Sequence, residues 1–156
     1  MGISVQGPSI GTATVCEPIL RALPQWFGME DANTQYVRDI ETMPTMLALV
    51  DGQVVGFLTL KHHSAHAAEI HVMGVHPARH RQGIGRLLLD RAEQILRQQG
   101  IEYLQVKTLS PSHPDEGYAR TRAFYKAMGF SHLEAFKELW DKENPCLQMV
   151  KWLGSS

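Results

Sequence analysis

The chain has 156 residues, 44% hydrophobic and 20% charged, which is enough apolar matter for one core and excludes intrinsic disorder. Its 15 Lys and Arg against 16 Asp and Glu leave a formal net charge of -1, without the basic excess of a nucleic-acid binder or of a protein drawn to anionic membranes. Cys16 and Cys146 stand in unrelated contexts, so neither a disulfide framework nor a zinc knuckle is expected, and free thiols in a cytoplasmic protein are.

No basic segment followed by an apolar run opens the chain, so no signal peptide is expected. The longest mostly apolar run, Val54 to Leu60, is far short of the ~20 residues that span a bilayer. One domain is expected over residues 1–156, with short frayed ends and its ordered part from about residue 10 to 153. Glu17 to Phe27 carries Ile19, Leu20, Leu23, Trp26 and Phe27 at helical spacing, interrupted by Pro24. A second helix runs from Asp31 to Ile40, with Asp31 or Asn33 as its cap. Met46 to Val50 and Val54 to Leu60 read as strands joined by the hairpin signal Asp51-Gly52.

A third strand, Ala68 to Val75, puts Ile70 and Val72 on one face and Glu69, His71 and Met73 on the other. After the turn His76 to Gly85, an apolar stripe of Ile84, Leu87, Leu88, Ala92, Ile95 and Leu96 marks a helix that Gly100 ends. Ile101 to Thr108 reads as a strand, and a polar loop follows from Ser110 to Gly117. Tyr118 to Met128 reads as a helix ended by Gly129. Leu133 to Trp140 and Cys146 to Trp152 read as closing strands around Asn144-Pro145. Hairpins and helical crossovers together imply an α/β (α+β) fold, a mixed sheet with helices on both faces.

The turn before the central helix carries the most chemistry. Gly83 and Gly85 open a helix straight out of a strand, and the first N–H groups of a helix lack internal partners at its positive end. A phosphate or pyrophosphate fits there, with Arg79, Arg81 and Arg86 adding charge. A Walker A loop is excluded because Arg86-Leu87 follows Gly85. A dinucleotide fingerprint fails because Leu88 stands where a third small residue belongs. Six of the eight histidines lie between His62 and His80, but adjacent His62 and His63 point to opposite faces of a strand, and no metal site is expected.

The stretch Val75-x-Pro77-x-x-His80-Arg81-Gln82-Gly83-Ile84-Gly85-x-x-Leu88 closely resembles the acetyl-coenzyme A loop of the GNAT superfamily of N-acetyltransferases. Its pattern is (Arg or Gln)-x-x-Gly-x-(Gly or Ala), and His80 departs from it at the leading position. Ala123-Phe124-Tyr125-Lys126-Ala127-Met128-Gly129-Phe130 resembles the family's second motif, Phe-Tyr-x-x-x-Gly-Phe. Tyr118 stands where many relatives carry Asn. The element order matches over nearly the whole chain.

This resemblance implies a GNAT-like sheet with acetyl-coenzyme A in a splay between two central strands, the one ending near Val75 and the one over Ile101 to Thr108. Arg81, Gln82, Gly83, Ile84, Gly85 and Arg86 would hold the pyrophosphate, mostly through N–H groups. His80, Met73 and Val75 would complete the cofactor site along the loop and strand, and Tyr118 and Tyr125 would complete it on the later helix. Aminolysis of a thioester needs a base for the amine and a proton for the leaving thiolate. Tyr125 resembles the family's general acid. Glu69 and His71 both lie where the family places a base or a water-holding residue. Trp26, Phe27 and Tyr36 would form one wall of the acceptor pocket, and the loop with Ser112, His113, Asp115 and Glu116 the opposite wall.

The expected function is direct transfer of an acetyl group, through a ternary complex, to an amine-bearing small molecule or peptide. The alternative is a non-catalytic acyl-coenzyme A binding or sensor module of the same fold; a nucleotide-binding regulator is a third reading. A cytoplasmic location and a homodimer are expected, with neither nucleic acid nor membrane as partner.

Overall fold

In the computed structural model, which describes residues 2–109, 116–141 and 144–154, Asp51 and Gly52 adopt φ of 51° and 78°. Two positive φ values in sequence make the two-residue turn whose twist matches that of its strands. The turn joins β2 (Thr45–Val50) to β3 (Gln53–His62), with Val50 opposite Gln53. Ahead of them lies a strand that the sequence pattern does not announce, β1 (Ile3–Ser9), antiparallel to β2 from Ile3↔Val50 to Ser9↔Thr45. Its alternation is brief and broken by Gly7-Pro8, and it is an edge strand, so it reads as a frayed terminus. Beyond β3 come β4 (Ala67–Val75), β5 (Tyr103–Leu109), β6 (Ser131–Asp141) and β7 (Asn144–Trp152). The order in the mixed seven-stranded sheet is β1-β2-β3-β4-β5-β7-β6.

The chain forms two compact units, Met1–Lys61 with His71–Leu96, and His62–Ile70 with Arg97–Ser156. In the first, α1 (Ala13–Arg21) and α2 (Glu30–Thr42) pack on one face of the strands. Cys16, Ile19, Leu20, Leu23, Ile40, Phe57 and Val72 form the core there. The other face receives α3 (Ile84–Gln98). A Cβ at Gly56 would stand 3.1 Å from Ile84 and 3.3 Å from Leu88, so the missing side chain lets α3 settle onto β3. Phe57, the next residue, points the opposite way into the first core, as strand alternation requires.

Two helix boundaries differ from expectation. The first helix starts earlier and tolerates Pro18, then ends at Arg21. Pro24 cannot continue it, and the N–H groups of Trp26 and Phe27 bond back to the Leu23 carbonyl at 3.1 and 2.9 Å. In the second helix Met29 takes the N-cap position, and Glu30 and Asp31 fill the first turn, where the helix dipole favours acids. Asn33 is buried instead of capping, and its Nδ2 donates to the Phe27 carbonyl at 2.9 Å.

In the second unit the start of β4 pairs in parallel with β5, from Ala67↔Tyr103 to Ile70↔Val106. The strand β5 pairs antiparallel with β7, and β7 with the edge strand β6. The helix α4 (Glu116–Ala127) follows β5 and precedes β6 in the chain. It ends as expected at Gly129, whose φ is 98°. The Phe130 N–H reaches back to the Tyr125 carbonyl at 2.9 Å, the bond that closes a glycine-terminated helix.

Candidate functional site

In the first unit, β4 delivers the chain to the turn before α3. Pro77–Arg79 forms one 3₁₀ turn, capped by His76, whose Nδ1 accepts from the Ala78 N–H at 3.1 Å. The His80 Nε2–H donates to the Val75 carbonyl at 2.8 Å, and the His80 ring meets Trp26 edge-on with centroids 6.2 Å apart. The departure from the leading Arg or Gln therefore has its own job: His80 ties the two ends of the turn together, and Trp26 braces it.

Arg81 and Gly83 then both take left-handed backbone, with φ of 65° and 77°. Left-handed residues spaced this way curve the chain so that successive N–H groups line a concavity suited to an anion. The Leu87 N–H bonds to the Gly83 carbonyl at 3.1 Å, which makes Gly83 the entry residue of α3. The N–H groups of Ile84, Gly85 and Arg86 are thus those of the first helical turn, which a helix cannot satisfy itself. A Cβ at Gly83 would meet nothing within 4 Å, so its outer side is open to a ligand. Ile84 is buried and anchors the helix start, while Arg81, Gln82 and Arg86 are exposed. Met73 and Val75 on β4 are half-buried.

The same unit holds His71. Its Nε2 lies 2.7 Å from Asp39 Oδ2, and each side chain keeps about a fifth of its surface exposed (19% and 20%). Tyr36 meets the His71 ring edge-on at 5.7 Å, and Phe27 meets Tyr36 in the same way at 5.7 Å. Of the three residues expected to wall the acceptor pocket, Phe27 and Tyr36 thus lead to His71, whereas Trp26 leads to His80 in the turn before α3. Asp39 is absent from the sequence reading. Its only signal there is an acid on the second helix, far in sequence from any motif.

In the second unit, Glu69 is 6% exposed. Its oxygens accept from Lys107 Nζ at 3.0 and 3.1 Å, and Oε1 lies 2.6 Å from His63 Nε2. Glu69 and His71 lie on one strand but have different partners. Tyr125 is buried on α4, with Phe124 and Phe130 edge-on at 5.4 Å. Burial, with a lesser contribution from Tyr118, pushes the Tyr125 phenol above its ordinary value. Tyr118 is half-buried one turn inside the same helix. Ser112, His113 and Asp115 lie outside the described residues; Glu116, in the first turn of α4, is exposed.

The clustered histidines separate. His62 meets Gln99 at 2.8 Å, His63 meets Glu69, and His66 meets Glu102 at 2.9 Å. Among the described residues no three His, Cys, Asp or Glu side chains converge on a metal position. Cys16 and Cys146 are buried free thiols, each pushed up to about 11 by burial. No helix among the described residues is long and apolar enough to cross a membrane.

Comparison with known proteins bears on this arrangement. The family model described as acetyltransferase (GNAT) family matches residues 17–130. A mycothiol acetyltransferase from Beutenbergia cavernae is 36% identical over 101 residues, 61% of this chain and 32% of that protein. The chain therefore spans about a third of the length of that curated relative. A crystal structure assigned to the GNAT family, from Desulfovibrio desulfuricans, superposes with a TM-score of 0.84 at 16% identity, covering 98% of this chain and 100% of that one. A GNAT family acetyltransferase from Elizabethkingia anophelis with acetyl-CoA bound has a TM-score of 0.74 at 17% identity, covering 96% and 97%. At these identities the structural likeness is one of fold.

Proposed function

The chain belongs to the acetyltransferase (GNAT) family, and from that premise we propose that it moves an acetyl group from acetyl-coenzyme A directly to a primary amine, within a ternary complex. One observation carries the reading: the left-handed Arg81 and Gly83 turn the chain into the free N–H groups that open α3, beside an unobstructed Gly83. That concavity fits a pyrophosphate, with Arg86 as an added charge. Acetyl-coenzyme A, the family's cofactor, supplies an acetyl thioester, whose C–S bond breaks as an N–C bond forms to leave an amide and a free thiol.

The residues then divide the proton work. His71 takes the proton that the amine must lose, and Tyr125 gives its phenolic proton to the departing sulfur. Both reset through solvent. What favours His71 over Glu69 is the company each keeps. The Glu69 carboxylate is already engaged by an ammonium and an imidazole, whereas His71 keeps a ring nitrogen that Asp39 does not use. The raised Tyr125 phenol stays protonated across neutral pH, as a proton donor must. Direct transfer is supported by the two thiols: held at about 11, neither supplies the thiolate that an acyl carrier needs.

The acceptor in this reading is an amine-bearing small molecule or peptide, walled on one side by Phe27 and Tyr36. The family model spans parts of both units, which supports one domain over residues 1–156. A homodimer belongs to the same proposal, favoured by the β6 edge, which exposes Leu133, Leu139 and Trp140. The free thiols favour a cytoplasmic setting.

Cofactor choice tests the reading. Acetyl-coenzyme A at ~100 times its dissociation constant should add about 2.7 kcal/mol of stability. At ~2–4 °C per kcal/mol, the melting temperature should rise by several degrees. Protection by ATP or NAD in place of acetyl-coenzyme A would contradict it.

A further inference from the structure

We propose that Asp39 is a positioning residue, which holds His71 in its Nε2–H tautomer so that Nδ1 is the atom that takes the amine proton. The inference rests on His71 as the base and assigns a role to a residue outside every motif. A carboxylate only accepts hydrogen bonds, so a neutral imidazole 2.7 Å from Asp39 Oδ2 must carry its hydrogen on Nε2. Nδ1 is then the bare nitrogen. Once it gains a proton, the ring becomes a cation beside the Asp39 carboxylate.

Asp39 is itself held. Gln35, one turn earlier on α2, donates from Nε2 to Asp39 Oδ1 at 2.9 Å. The carboxylate thus meets an amide on one oxygen and His71 on the other, and among the described residues no Lys or Arg bonds to it, while Glu69 has Lys107 as well as His63. The third acid–histidine pair, Glu102 with His66, lies in water, 50% and 72% exposed. Tyr36 limits the tilt of the His71 ring from its edge. Among the described residues, the titratable groups in contact with the ring are Asp39 and Tyr36 from α2; along β4 the nearest in sequence is Glu69, two residues away and bound to Lys107 and His63. At 19% exposure, His71 remains reachable by an acceptor.

The test begins on the unaltered protein. The ¹⁵N shifts of the His71 ring should show a neutral form protonated on Nε2, and a neutral Nδ1–H form would overturn the proposal. In Asp39→Asn the amide can donate to Nε2 and drive the hydrogen to Nδ1. Turnover should then fall at least ~10-fold and by up to the ~10²–10⁴ that a general base supplies. KM for acetyl-coenzyme A should hold while kcat falls. Asp39→Glu should restore part of the rate. An Asn variant with unchanged turnover would overturn the proposal. Failure of the unaltered protein to acetylate any amine would count against the proposed function instead, and the ring shifts would still decide the tautomer. Should Asp39→Asn fail to fold, the same shifts decide alone.

Discussion

As the proposed acid, Tyr125 has to remain a donor while sitting among aromatic rings. Its burial between Phe124 and Phe130 raises the phenol, so the hydrogen is present at every pH where an amine acceptor works. Tyr125→Phe keeps the ring contacts and removes only that hydrogen. The turnover rate should fall ~10²–10⁴-fold, the usual worth of general acid catalysis. Cofactor affinity should barely change, because the backbone turn at Gly83 supplies it in this account. Steady-state thiol release, with circular dichroism to confirm equal folding, checks this; a rate matching the unaltered protein would remove Tyr125 as the acid. At this scale the sequence is legible where a residue sits inside a motif, as Tyr125 and Gly83 do. It is silent where chemistry comes from a partner 32 positions away, as Asp39 does for His71. No local pattern marks an acid whose role depends on which strand its helix lies across.

The turn into α3 is the element on which cofactor binding depends in the proposed function. Gly83 has φ of 77°, a conformation that costs a β-branched residue of order 1–3 kcal/mol, and no neighbour lies within 4 Å of its missing Cβ. Gly83→Val should therefore keep the core intact while it flattens the concavity and puts methyls on its open side. Calorimetric titration should show acetyl-coenzyme A binding weakened at least ~10-fold, a loss of about 1.4 kcal/mol or more. Unchanged affinity would move the cofactor site elsewhere. Elements with strong periodicity or plain punctuation were readable in advance: the Asp51-Gly52 hairpin, the Gly129 stop and the apolar stripe of α3 stand where the pattern puts them, except that Leu87 of that stripe is exposed. The edge strand β1 was not, because few of its residues alternate and Gly7-Pro8 interrupts them. The first helix begins earlier, at Ala13, and accommodates Pro18, while Pro24 sets the limit beyond which Trp26 and Phe27 turn toward other partners.

For the whole molecule, family membership and the geometry within each unit lead to the same chemistry. The first unit offers the left-handed turn proposed to cradle pyrophosphate and a histidine held by a carboxylate. The second offers a buried phenol and a carboxylate already paired with Lys107. The account's central claim is that this chain turns acetyl-coenzyme A over on an amine and does more than hold it. The most direct measurement is thiol release from acetyl-coenzyme A by the pure protein across a library of small amines and short peptides, with acetylated product identified by mass. The account predicts release that depends on a particular amine, equals the amide formed and is lost in Tyr125→Phe. Tight binding of acetyl-coenzyme A with neither thiol nor amide formed on any amine would contradict it and leave a binding module in its place.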